Sequence, residues 1–255
     1  MRPTTEGNPM DTRFSAALRR AGAAALAVAC LYAPGAQAAL TLNATRLVIT
    51  NDKRSASVIV RNPSSDTYAA QVWVNTDRDD TTTEVPLMPA PGLFRLGPGQ
   101  EQQVTINRLP NDLPKDRESL FYLNVQEIPQ AKDTTGNTLR IALRTRIKVF
   151  HRPAQFKGDP AQRLGELRWY RQRENGRDYL LVENPTPFHF SFVTLRAQSG
   201  GKRHALTTAP MVAPRSSQRY PVDIPLGADA RVAVAAINDY GGYTEPLDLA
   251  LPLAP

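Results

Sequence analysis

The sequence predicts an all-β protein built as two similar sandwiches, and three observations carry that reading. Short segments rich in Val, Ile, Leu and aromatic residues recur along the chain, several with the alternation of a strand that buries one face. Asn, Pro and Gly turn signals separate them at the close spacing of antiparallel sheets, and no stretch after residue 38 keeps a helical period. One strand plan also occurs twice. SVIVRNP at 57–63 echoes YLLVENP at 179–185, each an apolar run closed by Asn-Pro, and Leu96-Gly97-Pro98 ahead of 104–106 echoes Val212-Ala213-Pro214 ahead of 220–222.

The elements follow in order. Residues 42–49, 57–60 and 69–74 read as strands, and the polar run NTDRDDT at 75–81 reads as the hairpin loop after the third. Strands are expected next at 104–106 and at 120–125, LFYLNV, followed by a polar connection over 127–138. Residues 139–148, LRIALRTRIK, alternate large apolar with mostly basic side chains, the period of a strand with one greasy and one charged face. At a sheet edge such a strand can pair with another chain's backbone while pushing Leu139, Ile141 and Leu143 into that chain's core. Strict alternation places Lys148 on the face opposite those three, which a bulge, strand twist or a second accessible face would have to reconcile. Pro153 cannot continue a central ladder, so the halves are divided into 39–153 and 154–255. The second half offers strands at 164–170, 179–184, 188–195 and 232–237.

Residues 1–38 have the layout of a secretory signal: Arg13, Arg19 and Arg20, an apolar run over 21–32, and the small-x-small pattern Ala36-Gln37-Ala38, so the mature chain is expected to begin at Ala39. An internal Met10 offers a second start. The apolar run is shorter than the ~20 residues a membrane span needs. Cys30 is the only cysteine and leaves with the leader, which excludes a disulfide framework, a cysteine nucleophile and a cysteine metal site. Export also places the chain where ATP is absent, so its work must run on binding energy. The formal net charge is +7, and removing the leader lowers it to a modest +5 with the charges dispersed, which gives no support to a nucleic-acid partner.

Nothing in the sequence has the pattern of catalysis or of a cofactor. His151, His189 and His204 stand alone, no Ser lies at a recognisable motif distance from a His, and no paired carboxylates form a motif. Asp77, Asp79 and Asp80 cluster, but Arg78 among them and the missing ligand spacing suit a turn rather than a calcium loop. The expectation is no enzyme, no metal and no cofactor.

Three segments together, LPKDRESLFY at 113–122, IKVFHRP at 147–153 and INDYGG at 237–242, resemble the PapD-like periplasmic chaperones that assemble pili, and the resemblance covers the chain after residue 38. It implies two immunoglobulin-like sandwiches set at an angle with a cleft between them. It implies that Arg46 and Lys148 hold the C-terminal carboxylate of a pilus subunit, a role that suits two cations able to saturate four lone pairs with charge-assisted bonds. Leu139, Ile141 and Leu143 match the family's donated strand, and Glu118, Arg152 and Asp239 match its interdomain ion network. The short 127–138 connection and the lack of paired cysteines resemble the short-loop branch. The implied partners are pilus subunits and an outer-membrane usher, in the periplasm, with no part embedded in a membrane. Two rivals differ by what they need. An adhesive module of a surface fibre would not need the cation pair and the three motifs, and a sugar-binding or hydrolytic sandwich would need paired carboxylates and more flat platforms than Trp73 and Trp169.

Overall fold

The computed structural model describes residues 40–80, 82–130 and 141–255. The leader expected over 1–38, Leu139 and residues 131–138 of the polar connection lie outside the described residues. Nine strands precede Pro153: β1 (Thr41–Leu42), β2 (Arg46–Thr50), β3 (Ser55–Arg61), β4 (Tyr68–Asn75), β5 (Leu87–Ala90), β6 (Leu93–Leu96), β7 (Glu101–Arg108), β8 (Ser119–Pro129) and β9 (Arg144–Arg152). They form two sheets, ordered β1-β3-β7-β5 and β2-β9-β8-β4-β6. Alternate residues such as Val58 and Val60 of β3 and Val104 and Ile106 of β7 are fully buried, joining Ile49, Leu123 and Val149 from the facing sheet in one core.

The later residues repeat the plan with β10 (Arg168–Glu174), β11 (Arg177–Asn184), β12 (Phe192–Ser199), β13 (Lys202–Ala205), β14 (Ser216–Val222), β15 (Arg231–Ala236) and β16 (Leu247–Ala250). Their sheets run β10-β11-β14 and β13-β12-β15-β16, around a separate core that includes Leu180, Val182, Phe190, Val232 and Tyr220. Among the described strands every pairing is antiparallel except β2 with β9.

The repeated Asn-Pro has a physical meaning that the sequence did not show. Asn62 Nδ2 donates to the carbonyls of Leu96 and Gly97, both at 3.1 Å, and Asn184 Nδ2 donates to those of Phe188 and Ala213, both at 2.7 Å. Each Oδ1 accepts from the backbone and hydroxyl two residues on, Ser64 for Asn62 and Thr186 for Asn184. One buried amide thus pins the Leu96-Gly97-Pro98 turn in one sandwich and Val212-Ala213-Pro214 in the other, which is why the two echoes travel together.

Several expected elements differ. Residues 42–49 fold as two strands, β1 and β2, separated over 43–45, and the strand expected over 188–195 begins at Phe192 and runs on to Ser199. Residues 160–166 form a short 3-10 helix instead of opening a strand, because Asp159 Oδ1 caps the Ala161 amide at 2.9 Å, Pro160 favours the first turn and Leu164 and Leu167 bury against the second core. The strand expected over 139–148 begins at Arg144, and the exposed Ile141 and Leu143 precede it.

Candidate functional site

The functional face is set by β9. Ile147 and Val149 enter the first core beside Leu47 and Ile49 of β2, so the alternate residues Arg46, Lys148, Phe150 and Arg152 face away from it. That outer face meets the second sandwich through Ser191, Ile237, His189 and Asp239. Within β9, Lys148 lies opposite Ile147 and Val149 with no bulge, so one strand serves the core with one face and the junction with the other; Ile141 and Leu143 lie before the strand and take no face of it.

Parallel pairing makes Arg46 and Lys148 register partners, with their side chains adjacent on that outer face. Arg46 is only 9% exposed; its Nη1 donates to the Ile237 carbonyl at 3.0 Å, while its Nε is buried without a partner. Lys148 Nζ donates to the Ser191 hydroxyl at 2.7 Å. Ile237 N in turn donates to the Ser191 carbonyl at 2.9 Å, so one linked piece of the second sandwich presents neutral dipoles to both cations. Among the described residues neither cation has a carboxylate in ion-pair contact. Burial, aided by the nearby Arg46 charge, pushes the Lys148 ammonium down to about 8, and burial also pulls Arg46 below its ordinary range. Arg46, buried, and Lys148, partly buried, thus lie side by side with no carboxylate in direct contact among the described residues, while Asp239, Asp159 and Glu118 act on Arg46 only from a distance.

Farther along β9 the chemistry reverses. Arg152 Nε donates to Glu118 Oε1 at 2.7 Å, while Nη1 and Nη2 grip Asp239 at 2.7 and 2.8 Å, and Nη1 also reaches the Gly158 carbonyl at 3.1 Å. Glu118 Oε2 accepts from the His189 amide at 2.8 Å and faces His189 Nδ1 at 3.2 Å. Burial opposes the Arg152 charge, but the bonds and charges of Asp239 and Glu118 outweigh it and hold the guanidinium above its usual range. The structure thus brings Glu118, Arg152 and Asp239 together, and Arg46 with Lys148.

The apolar residues stand apart from both groups. Ile141 is 66% and Leu143 48% exposed. β8 lines one edge of β9 from Arg144 onward, and β2 lines the other only from Lys148 onward, so among the described residues the edge over 144–147 has no neighbouring strand. Sequence reasoning missed His189, Ser191 and the Ile237 carbonyl. All three belong to the other half of the chain, and no spacing signal links them to residues 46 or 148.

Other clusters hold nothing. Among the described residues no group of three or more His, Cys, Asp and Glu is placed to hold a metal ion. Asp79 is engaged by Arg144 and Asn75, and Asp80 caps Thr82 and Thr83. No helix among the described residues is long and apolar enough to cross a membrane.

Comparison with known proteins meets this geometry. Residues 39–157 match the family model for the pili and flagellar-assembly chaperone PapD N-terminal domain, and 162–247 match that for the pili assembly chaperone PapD C-terminal domain. The chain is 32% identical over 229 residues to the probable fimbrial chaperone YadV of Escherichia coli (strain K12), covering 86% of this chain and 93% of that one. The crystal structure of the YadV chaperone superposes with a TM-score of 0.72 at 31% identity, over 84% of this chain and all of that one. A structure of the Salmonella enterica SafA pilin in complex with the SafB chaperone also matches, with a TM-score of 0.73 at 27% identity over 86% of this chain. Two consecutive domain matches, the shared two-sandwich fold and relatives spanning nearly their full length leave one assignment: the chain belongs to the PapD family of pilus-assembly chaperones.

Proposed function

We propose that this chain captures pilus subunits in the periplasm, lends each the strand led by Leu139, Ile141 and Leu143, anchors its C-terminal carboxylate between Arg46 and Lys148, and passes it to an outer-membrane usher. As a pilus-assembly chaperone it is a binding protein and not an enzyme. The observation that carries the reading is the Arg46–Lys148 pair, without a carboxylate in direct contact among the described residues, at the end of an unpaired strand edge headed by exposed apolar side chains. A strand added along 144–147 with its terminal carboxylate at Lys148 would run parallel to β9, in line with β2 beyond Arg46. Main-chain bonds would give affinity, Ile141 and Leu143 apolar burial, and the carboxylate register. The Glu118–Arg152–Asp239 network would hold the two halves so that Ser191 and Ile237 meet the cations.

Co-expression with candidate pilin subunits tests this. The expected result is a one-to-one complex that is lost when the subunit's C-terminus is extended past the anchor and weakened by Ile141→Asp or Leu143→Asp. A complex indifferent to both changes would remove the carboxylate and the donated strand from the account.

A further inference from the structure

The outer face of β9 carries cations beyond Lys148. Arg144 and Arg146 precede it on the same alternation, opposite Gln126 and Asn124 of β8. Arg146 lies with its Cζ 3.9 Å from the Tyr122 ring centroid, and its Nη2 donates to the Thr76 carbonyl at 2.6 Å. Arg144 lies 6.0 Å from the Trp73 ring centroid and grips Asp79 at 2.6 and 3.2 Å. Asp79 adopts φ 59, accepts from Asn75 Nδ2 at 2.9 Å and reaches Arg146 at 4.0 Å. Among the described residues it is the one carboxylate paired with either arginine. Four cations, Arg144, Arg146, Lys148 and Arg46, thus follow one face along β9 and onto β2, and among the described residues Asp79 is the one carboxylate in ion-pair contact with any of them. Ring stacking and main-chain bonds pre-arrange the arginines, while Arg146 Nε and Asn124 Oδ1 remain buried without partners beneath them.

We infer that Arg144 and Arg146 form an acid-reading subsite that favours subunits whose C-terminal strand carries acidic side chains on the face shared with Lys148. This rests on the proposed capture of that strand. A parallel strand beside 144–147 places alternate side chains on the face of Arg144 and Arg146, and the intervening ones on the face of Thr145 and Ile147. Glutamates on the first set meet arginines held by one carboxylate; on the second they enter apolar surroundings. Asp79 is the internal stand-in, shared between the two guanidinium groups until the partner's acid joins it.

The test uses the full mature chain and synthetic peptides ending in a free carboxylate. One peptide carries Glu at two alternate positions within its last residues, a second carries Gln there, and a third has the glutamates moved by one residue; all are made also as C-terminal amides. The expected result is about tenfold tighter binding of the Glu than the Gln peptide at low salt, shrinking as salt is raised, with the shifted peptide weaker than both. Asp79→Asn should widen the Glu-over-Gln gap, and Arg144→Gln should narrow it even if Arg146→Gln fails to fold. Equal affinities for Glu and Gln peptides, with both still weakened by amidation, would overturn the subsite while leaving the carboxylate anchor standing. Failure of every free-acid peptide to bind more tightly than its amide would overturn the anchor and the subsite with it.

Discussion

Two cation sites lie on one face of β9 and differ in a single respect. Arg152 meets two carboxylates and a carbonyl, whereas Arg46 and Lys148 meet a carbonyl and a hydroxyl. Both are largely buried, both join the two sandwiches and both draw on the segment 237–239. The difference shows how one strand face can hold a satisfied cation and an unsatisfied pair side by side. The first cation meets its carboxylates within the fold; the second pair has none in direct contact, and folding elsewhere carries the cost of its burial, which the carboxylate of the proposed capture would offset.

The largest expected effect is at the complete site. Arg152→Ala leaves Glu118 and Asp239 facing each other in a buried junction, and removing one partner of such a network costs about 3–5 kcal/mol. Denaturant unfolding checks it, with capture of a pilin subunit measured on the same sample. An Arg152→Ala protein as stable as the parent would erase the contrast, since both cations would then be dispensable to the fold.

Next is Lys148→Met at the open site, where stability and binding should part company. The methionine removes a buried charge without leaving a carboxylate unpaired, so the free chain should be unchanged or more stable by about 1–3 kcal/mol at neutral pH. Capture should weaken by about 2–5 kcal/mol, ~30-fold or more, because the subunit's carboxylate enters half-compensated. Loss of stability and of binding in equal measure would make Lys148 a structural residue like Arg152.

The open site should also respond to pH. Lys148 has a folded pKa of about 8 and an unfolded one near 10.5, so between these values the unfolded chain holds a proton that the folded chain has lost. The Lys148 contribution to stability therefore rises with pH across that window, seen as the difference between the parent and Lys148→Met. Affinity for a carboxylate should move the other way, falling up to about tenfold per unit above pH 8 as the ammonium is lost in the free chain. Parallel pH profiles for the parent and the methionine variant would show that Lys148 does not titrate there.

How much of this could be read in the sequence differs between the same two sites. The alternation of 144–152 already assigns Ile147 and Val149 to one face and Lys148 and Arg152 to the other, because that follows from strand geometry alone. The five charged residues of the two sites follow from resemblance, since Arg46 and Lys148 taken alone are ordinary strand charges and no spacing links Glu118, Arg152 and Asp239. Ser191 and His189 were illegible because they reach the site through tertiary packing between halves of the chain, and Ile237, though it opens the INDYGG motif, acts through a backbone carbonyl that no side-chain pattern encodes. The Asn62 and Asn184 echo lay at the other extreme: the repeated pattern was visible, but its cause, one amide pinning a distant turn, needed coordinates. Leu164 and Leu167 misled for a local reason, as apolar residues three apart suit a turn of 3-10 helix as well as a strand when Asp-Pro precedes them.

The smallest expected effect probes the link between the sites. Gly241 lies just past Ile237, which serves the open site, and Asp239, which serves the complete one, and its amide closes the turn onto the Asn238 carbonyl at 3.1 Å. Its φ of 86 lies in the left-handed region, and a Cβ there would collide with the Thr45 hydroxyl, next to Arg46. Gly241→Ala should therefore cost about 1–2 kcal/mol of stability, most of it backbone strain that Thr45→Ala does not relieve and a remainder of contact that it does. Gly242, with no such φ, controls for the backbone strain alone, since a Cβ there would meet the Asn238 amide at 3.0 Å. If the strained turn shifts as a unit, Gly241→Ala should weaken carboxylate binding along with stability, because the Ile237 carbonyl and Asp239 move together. Stability lost with affinity intact would instead show that the complete site is held by the turn while the open one is held by β2 and β9 alone, and the division of labour between the two cations would be sharper than their shared segment implies.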